Sequence, residues 1–241
     1  MEQRRTHRLL ISIVVLVFFG LLSPLTARYT PEIFRLFPNG EAMAQLIPTP
    51  TIRDAFQQYL KNISQFGIVL ALLMSMGAVA REKERGTAAM MLVKPLPRGV
   101  FVGAKFQAIG ATIAVALMAA AAAGYYYTAL LFQAPAAWRW IALNGLVFVY
   151  LMVPVSVTLF CSVVAGSQAA AGGIAFGALA VMALAGSIPG LGDYLPGQLL
   201  GWAGAQMSGA GPAHWPALGV SLVIIAAGVA GAWRMLERQE L

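Results

Sequence analysis

The stretch LLISIVVLVFFGLLSPLTA, residues 9–27, contains no charged side chain. An α-helix needs about 20 consecutive apolar residues to cross the hydrocarbon core of a membrane. The run is continuous and does not alternate with polar residues, which indicates a helix and not a strand of a β-barrel. Basic residues precede it as in a secretory signal, but the run is long and lacks a small-residue cleavage pattern. Residues 9–27 therefore predict a retained transmembrane helix.

The composition of the whole chain agrees with a membrane environment. Of its 241 residues, 59% are hydrophobic and only 10% are charged, and the mean hydropathy is +0.76. Soluble domains have about 25% charged residues, so this chain could not cover a water-facing surface. The net charge of +7 lies between the apolar runs, without a basic patch interleaved with aromatic residues. We therefore expect membrane lipid, and no nucleic acid, as a partner.

Five further apolar runs resemble the first one in length and composition. The predicted fold class is an all-α membrane protein with six transmembrane helices in a single transmembrane domain, residues 1–241. The predicted spans are residues 9–27, 63–80, 100–132, 138–165, 169–188 and 215–236. Between spans, residues 28–62 predict one or two short amphipathic helices near the membrane surface. Residues 187–215, rich in Gly and Pro, predict a re-entrant or interface-lying segment.

Six spans place both termini on the same side of the membrane. Of the 16 Lys and Arg residues, 11 then lie on the side of the termini and 5 on the other. The excess of basic residues marks the cytoplasmic side, so both termini are expected there, in the plasma (inner) membrane. The 11 are Arg4, Arg5, Arg8, Arg81, Lys83, Arg85, Lys94, Arg98, Lys105, Arg234 and Arg238; the 5 are Arg28, Arg35, Arg53, Lys61 and Arg139.

The segment AREKERGTAAMMLVKPLPRG, residues 80–99, concentrates charge on that cytoplasmic side, between spans two and three. Thr87 predicts the N-cap of a short helix at residues 88–93, and Pro95 ends it because the residue before proline avoids the helical region. Exposed Met90 and Met91 favour docking into a groove of a partner.

The same segment could instead lie on lipid headgroups through its basic residues. Glu82 and Glu84 argue against this interpretation, because acidic side chains are repelled by anionic lipid. Residues 81–98 are therefore predicted to form a cytosolic coupling segment that binds another protein.

We do not expect this chain to bind a nucleotide or to catalyse a reaction. It has no Gly-rich loop followed by Lys and Ser or Thr, which a phosphate cradle requires. His7 and His214 lie on opposite sides of the predicted topology, and the spans have essentially no ionisable residue. We expect no catalytic residue and no metal site, and we assign no residue to substrate binding. This also argues against a membrane-embedded enzyme.

The segment EKERGTAAMMLVKPLPRGVFVGAK, residues 82–105, resembles the corresponding region of ABC-2 type permeases, the membrane subunits of ATP-binding cassette transporters. The run VFFGLLSPLTARYTPEI, residues 17–33, is similar to the small six-span (NosY-like) permeases associated with nitrous-oxide reductase maturation. The resemblance implies a homodimer with two separate ATPase subunits, which would hold the ATP and Mg and drive export.

The resemblance also implies roles for particular residues. The residues predicted to couple to the ATPase are Glu82, Glu84, Arg85, Gly86, Thr87, Met90 and Met91. The short helix would transmit movement to spans one, two and five. Arg98 and Lys105, two helical turns apart, would anchor span three at the membrane interface. The alternative is a non-transporting membrane assembly protein that docks a cytosolic partner through residues 81–98.

Overall fold

The computed structural model describes residues 8–37, 41, 48–84, 86, 97–209 and 211–239, and all regular structure in these ranges is helical. Six of the helical segments are long and apolar enough to cross a membrane, so the predicted all-α fold with six spans is confirmed. The short helix predicted at residues 88–93 lies outside the described residues. The helices are α1 (Arg8–Arg35), α2 (Ile52–Ser75), α3 (Ala80–Glu84), α4 (Arg98–Leu131), α5 (Ala137–Val164), α6 (Gln168–Ala185), a 3-10 helix (Gly192–Tyr194), α7 (Gln198–Ser208) and α8 (Trp215–Glu237).

The first two spans are longer than their apolar runs and include part of residues 28–62; the rest of that segment, where one or two short amphipathic helices are predicted, lies largely outside the described residues. Residues 28–35 continue α1, and residues 52–62 form the first half of α2. Thr51 starts α2 as its N-cap, because its backbone N–H donates to Oδ2 of Asp54 at 2.8 Å. Hydropathy marks the part of a helix that crosses the hydrocarbon, whereas the helix itself ends at its caps.

Helix α5 is the centre of the bundle and contacts α2, α4, α6, α7 and α8. Every fourth residue along one side of α5 is fully buried, which is the spacing of a single helix face. This row consists of Leu143, Val147, Leu151, Val155 and Leu159. Helix α5 therefore contacts most of the other helices of the bundle.

Small residues allow two of the helix pairs to pack closely. A Cβ atom on Gly20 of α1 would lie 2.7 Å from the carbonyl oxygen of Ala120 in α4. A Cβ atom on Gly228 of α8 would lie 3.1 Å from backbone atoms of Ser156 in α5. Close approach of backbones at small residues is how helices associate in a membrane, where apolar burial between helices gives no advantage over lipid.

Residues 187–215 add no span to the described structure. Helix α7 has 11 residues, which is too short to cross the hydrocarbon, and it packs back against α5 and α2. Its Trp202 is buried and meets Trp215 edge-on, with ring centroids 5.2 Å apart. The segment therefore folds into one end of the bundle, as a re-entrant or interface-lying element would.

Candidate functional site

Several helix ends meet at one end of the bundle, which we call the charged end. Arg98, in the first turn of α4, reaches the last residues of α8. Its Nη1 donates to the carbonyl oxygens of Leu236 and Glu237 at 2.8 Å and of Gln239 at 2.9 Å. The side chain of Gln239 in turn donates to the carbonyl of Val163, at the end of α5. The charged end comprises α3, Arg98, Lys105, residues 162–164, Gln168 and residues 236–239.

The joint between α2 and α3 lies at this end and is held by one serine of α5. Helix α2 ends at Ser75 and α3 begins at Ala80, and the N–H groups of Val79 and Ala80 have no backbone acceptor among the described residues. Oγ of Ser162, which is fully buried, accepts from the N–H groups of Val79 and Ala80 at 3.0 Å each. The same hydroxyl donates to the carbonyl of Met76 at 2.9 Å. Ser162 thus satisfies backbone groups that would be costly to leave unpaired in a buried site.

The start of α6 is tied to the same joint through Gln168. A Cβ atom on Gly77 would lie 3.0 Å from Oε1 of Gln168, so a larger residue at this position would make the Gln168 side chain shift. Arg81 Nε donates to that Oε1 at 3.0 Å, and Oε2 of Glu84 accepts from the Gln168 N–H at 3.4 Å. Both ends of the short helix α3 therefore contact the first residue of α6.

The other two charged residues of α3, Glu82 and Lys83, also contact neighbouring helices. Lys105 of α4 pairs with Glu82, with Nζ and Oε1 2.5 Å apart, and Glu82 is only 8% exposed. The ammonium group of Lys83 donates to the carbonyl of Val163 at the end of α5, where the helix dipole favours a cation. The four consecutive charged residues of α3 thus contact three different helices: α4, α5 and α6.

The structure positions the predicted coupling residues in different ways. Glu82 points inward to Lys105, whereas Glu84 is exposed. Gly86 is exposed with a φ of +67°, the left-handed conformation that ends a helix and that glycine adopts without strain. A role for these residues in contacting an ATPase stays a prediction. Four predicted coupling residues lie outside the described residues: Arg85, Thr87, Met90 and Met91.

The predicted interface anchors make contacts within the protein. Arg98 caps the end of α8, and Lys105 pairs with Glu82 and lies 5.4 Å from the centre of the Phe101 ring. Spacing along one helix indicated only that both side chains share a face; their partners are 23 and more residues away in sequence. Within the described residues, α3 contacts spans three, four and five, and Arg98 contacts span six. Transmission of movement from the short helix to spans one, two and five, which the resemblance implies, stays a prediction.

Sequence reasoning did not assign a role to Ser162, Gln168 or Lys83. The available signal was that Ser162 and Gln168 are hydrogen-bonding side chains within or beside apolar runs. Polar side chains at such positions usually bond to a neighbouring helix, because lipid offers no partner. Which helix they bond to could not be read from spacing.

Replacing Arg98 with alanine is expected to lower the free energy of unfolding by about 1 to 2 kcal/mol, because the last carbonyls of α8 lose a charged donor. The measurement is equilibrium unfolding of the detergent-solubilised protein, monitored by tryptophan fluorescence. Arg234→Ala is the control, since Arg234 is exposed in the last turn of α8 and makes no hydrogen bond to the described residues. Equal effects of the two substitutions would contradict the capping role.

The fold and the charged end together define a multi-pass, all-helical membrane subunit whose polar contacts concentrate at one end. A sequence model described as ABC-2 family transporter protein matches residues 1–202. The chain therefore belongs to the ABC-2 transporter family, and the predicted family is confirmed. The chain is also similar to the uncharacterized transmembrane protein YxlG of Bacillus subtilis (strain 168), with 25% identity over 190 residues that cover 77% of this chain and 73% of that protein.

Proposed function

We propose that this chain is the permease subunit of an ATP-binding cassette exporter and that a separate ATPase subunit binds at the charged end. The observation that carries the proposal is the attachment of α3 to α4, α5 and α6 by Glu82, Ser162 and Gln168. A force on the chain next to α3 would therefore reach three spans at once. Membership of a transporter family supports the same function.

The coupling segment, residues 81–98, is attached at both of its ends. Its first residues form α3, and its last residue, Arg98, binds the end of α8. We infer that nucleotide binding closes two ATPase subunits together and pushes this segment sideways. The displacement would shift α5 and α6 relative to α1, which packs against α2 and α4. ATP and Mg would reside on the ATPase subunit.

A second copy of the chain completes the proposed transporter. In the described residues, positions 173 and 177 of α6 are glycines with open space where a Cβ would lie. Glycines on an uncovered helix face allow another helix to approach closely in a membrane. We propose a homodimer in the plasma membrane, with both termini in the cytoplasm, as the distribution of Lys and Arg favours.

The test begins with co-expression of this chain and a candidate ABC ATPase subunit of the same organism, followed by co-purification and measurement of ATP hydrolysis. Glu84→Lys reverses an exposed charge next to the proposed docking surface. We expect binding of the ATPase to weaken at least about tenfold, since like-charge repulsion at a contact exceeds about 1.4 kcal/mol.

Glu32→Lys is the matched control, because Glu32 is exposed near the opposite end of the bundle and the change in charge is the same. Unchanged assembly and hydrolysis in Glu84→Lys would refute docking at the charged end. A cytosolic partner that binds there without hydrolysing ATP would instead favour the non-transporting assembly protein.

A further inference from the structure

The end of the bundle opposite the charged end contains a cleft of about 660 Å³ between α2 and α7. One wall is the first half of α2, and the other is the face of α7 that includes Gly201 and Gly204. The apolar part of the lining is formed by Phe56, Leu60, Leu200 and Met207. The cleft lies outside the contacts that form the charged end, and the proposed coupling does not use it.

The α2 wall of the cleft is basic. Arg53, Gln57 and Lys61 are four residues apart, so their side chains follow one face of the helix, and all three are exposed. The side chains of Arg53 and Lys61 make no hydrogen bond or salt bridge with the described residues. The neighbouring carboxylate of Asp54 faces a second cleft and is bonded to Thr51.

Acidic side chains are absent from the lining of this cleft within the described part of the chain. Two cations therefore border an apolar surface that no carboxylate lines, while Asp54, whose charge interacts with Arg53, faces the second cleft. Two cations on one helix face give each other no favourable interaction. They are therefore available to bind an external anion.

The position of the apolar run within α2 puts this cleft at the surface of the membrane. Helix α2 begins at Ile52, whereas the apolar run that predicts the crossing begins only at residue 63. At 1.5 Å per residue, the 24 residues of α2 are about 36 Å long, which exceeds the hydrocarbon thickness of about 30 Å. The first turns of α2 therefore lie at the level of the headgroups, where a ligand can place its charge in water and its apolar part against protein.

We propose that this cleft binds an anionic amphiphile, with a phosphate or carboxylate against Arg53 and Lys61 and an apolar chain against Phe56, Leu60 and Met207. Charged hydrogen bonds would fix the head of the ligand, and burial of the apolar chain would add most of the affinity. An anionic lipid of the surrounding leaflet and a free amphiphilic anion share this chemistry. The proposal is independent of the ATPase and of which side of the membrane the cleft faces.

The experiment uses the full chain purified in dodecyl maltoside and measures binding of dioleoyl phosphatidylglycerol, dioleoyl phosphatidylcholine, oleate and inorganic phosphate. We expect phosphatidylglycerol to bind at least about tenfold more tightly than phosphatidylcholine, and inorganic phosphate not to compete. The double substitution Arg53→Gln with Lys61→Gln should abolish this preference, with a loss of about tenfold or more. Oleate that displaces the lipid would identify the free amphiphile as a ligand, and oleate that does not would identify the lipid.

A second variant tests the apolar part of the site without changing charge. Gly201→Leu adds a side chain on the cleft-facing wall, and the nearest atom to the new Cβ is 3.5 Å away on Gln198, so the helix can accept it. We expect it to lower the affinity for phosphatidylglycerol by about tenfold, whereas Gly219→Leu, at an open position of α8, should not.

The charge control is Arg28→Gln with Arg35→Gln, which removes two exposed cations of α1 outside the cleft. An equal loss in this control would show bulk attraction of anions and overturn the proposal. Competition by inorganic phosphate with no effect of Gly201→Leu would also overturn it, because the apolar cleft would then have no role. All of these measurements use the chain alone, so they are independent of whether an ATPase binds.

Discussion

Replacing Lys105 with glutamate is expected to lower the free energy of unfolding by about 3 kcal/mol or more. In the native protein Lys105 Nζ lies 2.5 Å from Oε1 of Glu82, and the side chains are 21% and 11% exposed, respectively. The substitution puts two carboxylates where an ion pair was. Removing one partner of a buried ion pair lowers the free energy of unfolding by about 3 to 5 kcal/mol, since the remaining charge is still desolvated but no longer compensated. The measurement is equilibrium unfolding of the full chain in mixed micelles.

The reversed pair separates this effect from a simple change in net charge. Glu82→Lys combined with Lys105→Glu exchanges the two ends of the ion pair and should recover much of the stability lost in Lys105→Glu. Lys61→Glu makes the same chemical change at an exposed position without an ion pair and should alter stability by less than about 0.5 kcal/mol. A double variant as unstable as the single one would show that the pair does not hold α3 to α4.

The six spans could be predicted from the sequence because their physical cause is local. Each backbone group in the hydrocarbon must bond within its own helix, so about 20 apolar residues in a row are sufficient evidence for a crossing. The ends of the helices were not predictable in this way. Asp54 and Thr51 extend α2 well before its apolar run begins, through a cap that hydropathy does not register.

The charged end was only partly predictable, because its contacts join residues that are far apart in sequence. The concentration of charge at residues 81–98 drew attention to this end. Local spacing, however, could not show that Glu82 turns inward to Lys105 or that Ser162 meets Val79, which is 83 residues away. Such pairings depend on the packing of α5 against α2, which is a property of the whole bundle.

Ser162→Ala is expected to lower the free energy of unfolding by about 3 kcal/mol, an unusually large effect for removing one hydroxyl. The side chain is 0% exposed and bonds to Val79, Ala80 and Met76 at the joint. Each buried backbone group left without a partner costs about 1 to 3 kcal/mol, and local relaxation recovers part of the sum. The same loosening should detach α3 from α5 and lower ATP hydrolysis by the assembled complex.

Ser156→Ala isolates the contribution of the joint, since Ser156 is equally buried on the same helix but its hydroxyl bonds only to Val153 of α5, at 2.8 Å. We expect a loss below about 1 kcal/mol for this control. Hydrogen exchange of the Val79 and Ala80 amides gives a local readout, and these amides should exchange faster in Ser162→Ala than in Ser156→Ala. If exchange at the joint were the same in both variants, Ser162 would not hold α3. Coupling through α5 would then have to depend on the bond between Lys83 and the Val163 carbonyl.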